Sequence, residues 1–191
     1  MGLSLPSTSF FGIRFARIFA RFVRVCPLTP GGQARVRPRA IYILPTGAGV
    51  VFGGILLLML LGSLNYQNNL GLLFTFLTVA VVVVSMHHAW FNLLGLALSA
   101  RAGRPVFAGD RALFDLQVVV ETRKRRPDLR LVVGDQVALL DLVPGQDART
   151  TLGVPTRRRG LQALGQVTLE TRYPLGLFRC WCYLETAAAV L

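Results

Sequence analysis

The chain has 191 residues, 53% of them hydrophobic, and a formal net charge of +12 at pH 7. No Asp, Glu, Lys or Arg occurs in the 61 residues from 40 to 100, a stretch longer and less charged than the core of a small soluble domain requires. The basic charge flanks that stretch, which argues against a nucleic-acid footprint, and three cysteines, an odd number, argue against a disulfide framework.

Residues 1–39 hold seven Arg and no acid. Within residues 10–25, Arg14, Arg17, Arg21 and Arg24 recur at spacings of three and four, with Phe11, Phe15, Phe19 and Phe22 on the flanking and opposite sides. That pattern predicts a basic amphipathic helix lying on an anionic inner leaflet, its four Arg in contact with the membrane surface; an organellar targeting segment is the competing reading. Residues 27–38 read as a Pro/Gly linker.

Residues 44–64 and 70–90 each reach the roughly 20 apolar residues that a bilayer crossing needs, and only the polar residues 65–69 separate them. The expectation is a two-helix transmembrane hairpin over residues 40–95. Tyr42 is expected at the inner interface and Pro45 in the first helical turn. Gly49 and Gly53 form a G-x-x-x-G pair, read as a helix-packing face: against the second span or, in the alternative, in a homo-oligomer. His87 and His88 come about 26 Å along the second span at 1.5 Å per residue. They point roughly 100° apart, which suits interfacial polar residues better than a shared metal. Both flanks of the hairpin are basic and its turn is uncharged, so both termini are expected in the cytoplasm of a multi-pass membrane protein.

From residue 96 the pattern changes to period two. Residues 113–121, 129–133, 137–143, 149–154, 161–172 and 175–185 read as strands separated by Pro- and Gly-containing turns. Residues 96–191 are therefore expected to form a small antiparallel β-sandwich-like cytoplasmic domain. Its basic clusters, residues 123–126 and 157–159, sit at turns and are either solvated or in contact with the leaflet. Cys180 and Cys182 would share a strand face, with too few companions for a zinc site. In residues 173–178, Pro174 should bend the chain, Leu175 and Leu177 should face the core, and Phe178 should point away. Phe178 and Trp181 are thus candidate partner contacts. No phosphate-binding loop, nucleophile elbow or His-based triad is present in the sequence, and no catalysis, cofactor or metal is expected.

Several short motifs carry a resemblance. They are Leu44-Pro45-Thr46-Gly47 with Gly49, Asn65-Tyr66 with Asn68-Asn69-Leu70-Gly71, Ser85-Met86-His87-His88-Ala89, and Pro105-Val106-Phe107-Ala108-Gly109. Pro155-Thr156 with Arg158-Arg159-Gly160 and Tyr173-Pro174-Leu175-Gly176-Leu177-Phe178-Arg179 with Trp181 complete the set. Together they resemble the N-terminal half of bacterial membrane proteins carrying the domain of unknown function 58. The resemblance implies a hairpin and β-rich segment that precede a von Willebrand factor A-like domain, which has no counterpart in these residues. It further implies a scaffold role beside a MoxR-like AAA+ ATPase and a transglutaminase-like membrane protein. A membrane-anchored interaction module is the expected function; a small membrane-active or channel-forming protein is the alternative.

Overall fold

A computed structural model describes residues 25–26, 32–120, 124–156 and 160–190. Ten strands and two long helices account for most of them: β1 (Val25–Cys26), β2 (Gln33–Arg35), β3 (Tyr42–Pro45), α1 (Gly47–Asn65), α2 (Asn69–Leu93), β4 (Leu96–Ala102), β5 (Arg111–Val120), β6 (Arg126–Val133), β7 (Gln136–Leu142), β8 (Ala148–Pro155), β9 (Gln162–Thr171) and β10 (Phe178–Val190). Two apolar helices thus precede a mostly β region, as expected.

The strands form two sheets. One runs β1-β10-β9-β6-β7, with β3 also paired to β10; the other runs β2-β4-β5-β8. All pairings are antiparallel except the two-residue match of β1 with β10. Period-two alternation gives each sheet an apolar inner face. Leu98, Phe114, Leu116 and Val118 of one sheet and Leu129, Leu131, Val167, Leu169, Cys182 and Leu184 of the other belong to one buried cluster.

The segment before the helices departs from the expected linker. Ala34 pairs with Leu98, Val25 with Tyr183 and Tyr42 with Trp181. Strands from both sides of the hairpin therefore build the same sheets, and the hairpin is an insertion within the β-domain rather than a separate unit before it. Pro45 also departs from expectation: it ends β3, and Thr46 caps α1. The four residues Arg14, Arg17, Arg21 and Arg24 lie outside the described residues.

Both helices are long and apolar enough to cross a membrane, and little of either is buried. They turn at Tyr66–Asn68, where Asn68 accepts the Gly71 N–H at 3.1 Å and caps α2. Small residues mark the seam between them: Thr75 and Ser85 are buried, and Gly71 backs directly onto the Ser63 side chain.

The register sorts the loops into two groups. Leu96 pairs with Val120, Val118 with Ala148, Arg126 with Leu142, Leu129 with Thr171 and Pro45 with Phe178. Residues 124–125 and the loops at 143–147 and 172–177 consequently lie at the end from which both helices leave. Loops 103–110 and 134–135, with Thr156, Gly160 and Leu161, lie at the far end.

Candidate functional site at the junction of hairpin and sheets

Two motifs 130 residues apart meet where α1 leaves the sheets. The Thr46 N–H donates to the Leu177 carbonyl at 2.8 Å. Its hydroxyl donates to the Gly176 carbonyl at 2.7 Å and accepts the Gly49 N–H at 3.2 Å. One side chain therefore caps the helix and ties it to the 172–177 turn. That turn contains a cis Tyr173–Pro174 peptide and closes with the Gly176 N–H donating to the Arg172 carbonyl at 2.8 Å. Gly176 has φ +70°, the left-handed region that favours glycine.

Gly49 is where the expected packing face needs correcting. A Cβ there would overlap the Leu177 carbonyl, whereas a Cβ on Gly53 would meet nothing within 4 Å. Gly49 admits the backbone of a turn, not a second helix, because capping by Thr46 brings the Leu177 carbonyl against the first turn of α1. The two glycines share no partner.

The 173–178 motif also needs correcting. The turn ends at Leu177, so strand alternation starts at Phe178. That places Phe178 on the face of β10 shared by the buried Cys180, Cys182 and Leu184, while Arg179, Trp181 and Tyr183 fall on the other. Leu175 is exposed and Leu177 half-buried, its backbone making the contact with α1. Trp181 is half-buried on the outward face and stacks on Tyr42, ring centroids 5.7 Å apart. The Arg179 guanidinium lies 5.2 Å from the Trp181 ring centroid, and its Nε donates to buried Glu170 at 2.7 Å. This carboxylate is neutralised by a half-exposed Arg rather than left buried and unpaired.

A second tie holds α2. Asn92, 4% exposed, donates from Nδ2 to the Pro127 carbonyl at 2.8 Å and to the Thr171 hydroxyl at 2.9 Å. Arg126 is also buried and donates from Nη2 to the Leu94 carbonyl at 3.2 Å; its Nε has no hydrogen-bond partner. Desolvation lowers its pKa from the usual 12.5. Sequence reasoning missed both residues. Asn92, a lone amide in an apolar run just before β4, was a usable signal. Arg126 was hidden, since nothing distinguishes it from its basic neighbours in sequence.

The junction end carries the exposed cations Arg37, Arg39, Lys124, Arg125 and Arg172. The Val36 N–H donates to the Leu96 carbonyl at 2.8 Å, which fixes residues 36–40 at this end.

Other candidates stay apart. His87 and His88 are exposed on α2, with His87 Nδ1 3.0 Å from the Val83 carbonyl of its own helix. The three cysteines are buried thiols. Burial pushes Cys180 up to about 11, and burial with Cys26 nearby pushes Cys182 up further. Neither environment favours a nucleophilic thiolate. Among the described residues no group of three or more His, Cys, Asp or Glu could hold a metal ion. A shallow groove of about 410 Å³ crosses the outer face of β4, β5 and β8, lined by Ser99, Arg101, Asp115, Gln117, Arg149 and Thr151 among others.

No family model, no curated protein and no solved structure matches the chain.

Proposed function

We propose that the chain is a membrane-anchored interaction module. In this reading α1 and α2 cross the bacterial plasma membrane as a hairpin, with residues 65–69 outside and the β-domain against the anionic inner leaflet. The observation that carries it is the set of cations Arg37, Arg39, Lys124, Arg125 and Arg172, exposed at the end from which both uncharged helices leave. Basic residues beside an anionic leaflet are each worth about 1 kcal/mol, and such charge stays on the cytoplasmic side. The N-terminal Arg14, Arg17, Arg21 and Arg24 would add to the same contact.

Tying both helices to the sheets by Thr46 and Asn92 suits a scaffold, because it sets the orientation of the β-domain to the bilayer. The resemblance to the domain of unknown function 58 family supplies the rest of the reading: no chemistry of its own, and an assembly that includes a MoxR-like AAA+ ATPase and a transglutaminase-like membrane protein. The test is topological. In a chain whose native cysteines are replaced by Ala, Asn68→Cys should react with an impermeant thiol reagent on intact cells, and Asp135→Cys only after lysis. The opposite labelling pattern would sink the orientation; protection of both sites before and after lysis would sink the hairpin.

A further inference from the structure

The turn at 172–177 carries two exposed apolar side chains, Tyr173 and Leu175, the second 54% exposed. Leu44, also exposed, stands on β3 two residues before the Thr46 cap. Single exposed hydrophobes need no explanation. These three gather at one place, because Thr46 holds the turn against the start of α1.

Helix length sets the depth of that place. α1 has 19 residues, a rise of about 28 Å at 1.5 Å per residue, and a hydrocarbon core is about 30 Å thick. A crossing by α1 therefore uses its whole length and leaves its first turn at the inner edge of the hydrocarbon. α2 has 25 residues and shares the turn at Tyr66–Asn68, so its surplus of about 9 Å falls at the Leu93 end. The 172–177 turn is packed on the first turn of α1, where a Cβ on Gly49 would overlap the Leu177 carbonyl. It is carried to the same depth. Val50 and Val51, just beyond Gly49, are exposed as well, so the nearest surface of like polarity is that of α1.

The backbone of the turn suits that depth. Irregular backbone beside lipid needs partners for its polar groups. Pro174 has no N–H. The Arg172 N–H donates to the Asp128 carboxylate at 3.2 Å, and the Tyr173 N–H to the Thr171 hydroxyl at 3.3 Å. The Gly176 N–H donates to the Arg172 carbonyl, and the Gly176 and Leu177 carbonyls accept from Thr46. Backbone groups are thus satisfied within the protein while apolar side chains face out. Arg172 is exposed beside Tyr173, a cation at the level of the lipid phosphates, and a Tyr ring suits the same interface.

We infer that the 172–177 turn dips into the inner leaflet. Leu175 and Tyr173 enter the edge of the acyl region beside α1, and Arg172 meets the headgroups. Lipid, not a protein, covers this surface. The inference rests on the reading of α1 and α2 as a bilayer-crossing hairpin, and it adds a third point of attachment that fixes the depth of the β-domain.

The test uses the full chain, its native cysteines replaced by Ala, in vesicles of phosphatidylethanolamine and phosphatidylglycerol. A single cysteine at Leu175, Leu58 or Leu139 carries an environment-sensitive fluorophore; Leu58 lies midway along α1 and Leu139 on β7, both exposed. The Leu175→Cys probe should emit to the blue of the Leu139→Cys probe and be shielded from iodide supplied on both sides. A lipid nitroxide near the headgroup end of the acyl chain should quench it more than one near the chain terminus. The Leu58→Cys probe should prefer the deeper nitroxide, and the Leu139→Cys probe should respond to iodide alone. Iodide quenching at Leu175→Cys with Leu58→Cys in lipid would overturn the proposal and leave the hairpin standing. Shielding of Leu175→Cys from iodide and nitroxides alike would show protein over the turn and overturn it too. Leu58→Cys quenched by iodide alone would remove hairpin and proposal together. In the otherwise native chain, p-benzoylphenylalanine at Leu175 covers failure of the cysteine-free chain to fold. Irradiated cell membranes should then yield a phospholipid adduct; a protein adduct, or none, would overturn the proposal.

Discussion

The hairpin and the β-domain place the same kinds of side chain in opposite surroundings. Leu58, Leu73, Phe76 and Val81 of the helices are exposed, while Phe114, Leu131, Leu169 and Leu184 of the sheets are sealed. In the β-domain, apolar residues alternate with polar ones and face each other across two sheets. In the helices they cover nearly the whole circumference, and the seam goes to small residues such as Thr75 and Ser85. A helix apolar all round has no single inner face to bury, and most of the surface of these two has no neighbour within the described residues. Composition alone therefore cannot locate the core of this protein, and the comparison can be broken by substitutions that ask the same question of each region.

The largest contrast is expected from deleting large side chains. Phe114→Ala should destabilise the β-domain by about 3–5 kcal/mol, since it leaves a cavity between two sheets. Leu73→Ala, on the exposed face of α2, should change stability by less than about 1 kcal/mol. Denaturant unfolding of the detergent-solubilised full chain, followed by tryptophan fluorescence, measures both. Equal losses would mean that the helices have a packed core of their own and that their exposed faces are covered.

Gly49 and Gly53 sharpen the contrast at the boundary. Gly49→Ala drives a methyl into the Leu177 carbonyl and should cost about 1–3 kcal/mol, as overpacking does. Gly53→Ala meets open space and should be neutral or stabilising by up to about 1 kcal/mol through helix propensity. The same unfolding experiment applies, with loss of protection at the Thr46 amide, which donates to the Leu177 carbonyl, as a local hydrogen-exchange readout for Gly49→Ala only. If Gly53→Ala were the damaging change, a helix would be seated against that face.

These two glycines also show how far the sequence could be read. The hairpin was legible because 61 residues lack charge, and β4–β10 were legible because alternation is a local signal. The pattern Gly49-x-x-x-Gly53 announced a close approach but not by what, since the approaching carbonyl belongs to Leu177, 128 positions along the chain. β1, β2 and β3 were not legible for the same reason. They are two to four residues long, lie among Pro, Gly and Arg, and exist through partners such as Leu98, Trp181 and Tyr183. The phase of residues 173–178 failed because a turn, not a strand, occupies 172–177, and one residue of slip reverses every facing. Asn92 and Arg126 were hidden because burial depends on what packs over a residue, and their partners at 94, 127 and 171 lie 32 to 79 positions away in sequence.

The smallest effect separates a hydroxyl that works within a helix from one that works between regions. Thr78 donates to the Phe74 carbonyl of its own α2 at 2.8 Å. That carbonyl is already an acceptor in the helix ladder, so Thr78→Val removes an auxiliary bond and should leave stability within about 0.5 kcal/mol. Thr46 caps α1 through the Gly49 N–H and also reaches the Gly176 carbonyl, joining hairpin to sheet. Thr46→Val keeps the shape and leaves both groups without that partner, so a loss of about 1–2 kcal/mol is expected. Stability alone does not distinguish a lost cap from a lost tie, but amide exchange does. A lost cap speeds exchange at Gly49. A lost tie also speeds exchange at the Gly176 amide, whose bond to the Arg172 carbonyl closes the turn that Thr46 holds. Faster exchange at both sites in Thr46→Val and at neither in Thr78→Val would establish that the capping residue of α1 is also the joint between the helices and the sheets. Faster exchange at Gly49 alone would reduce Thr46 to an ordinary cap and leave Asn92 as the principal tie.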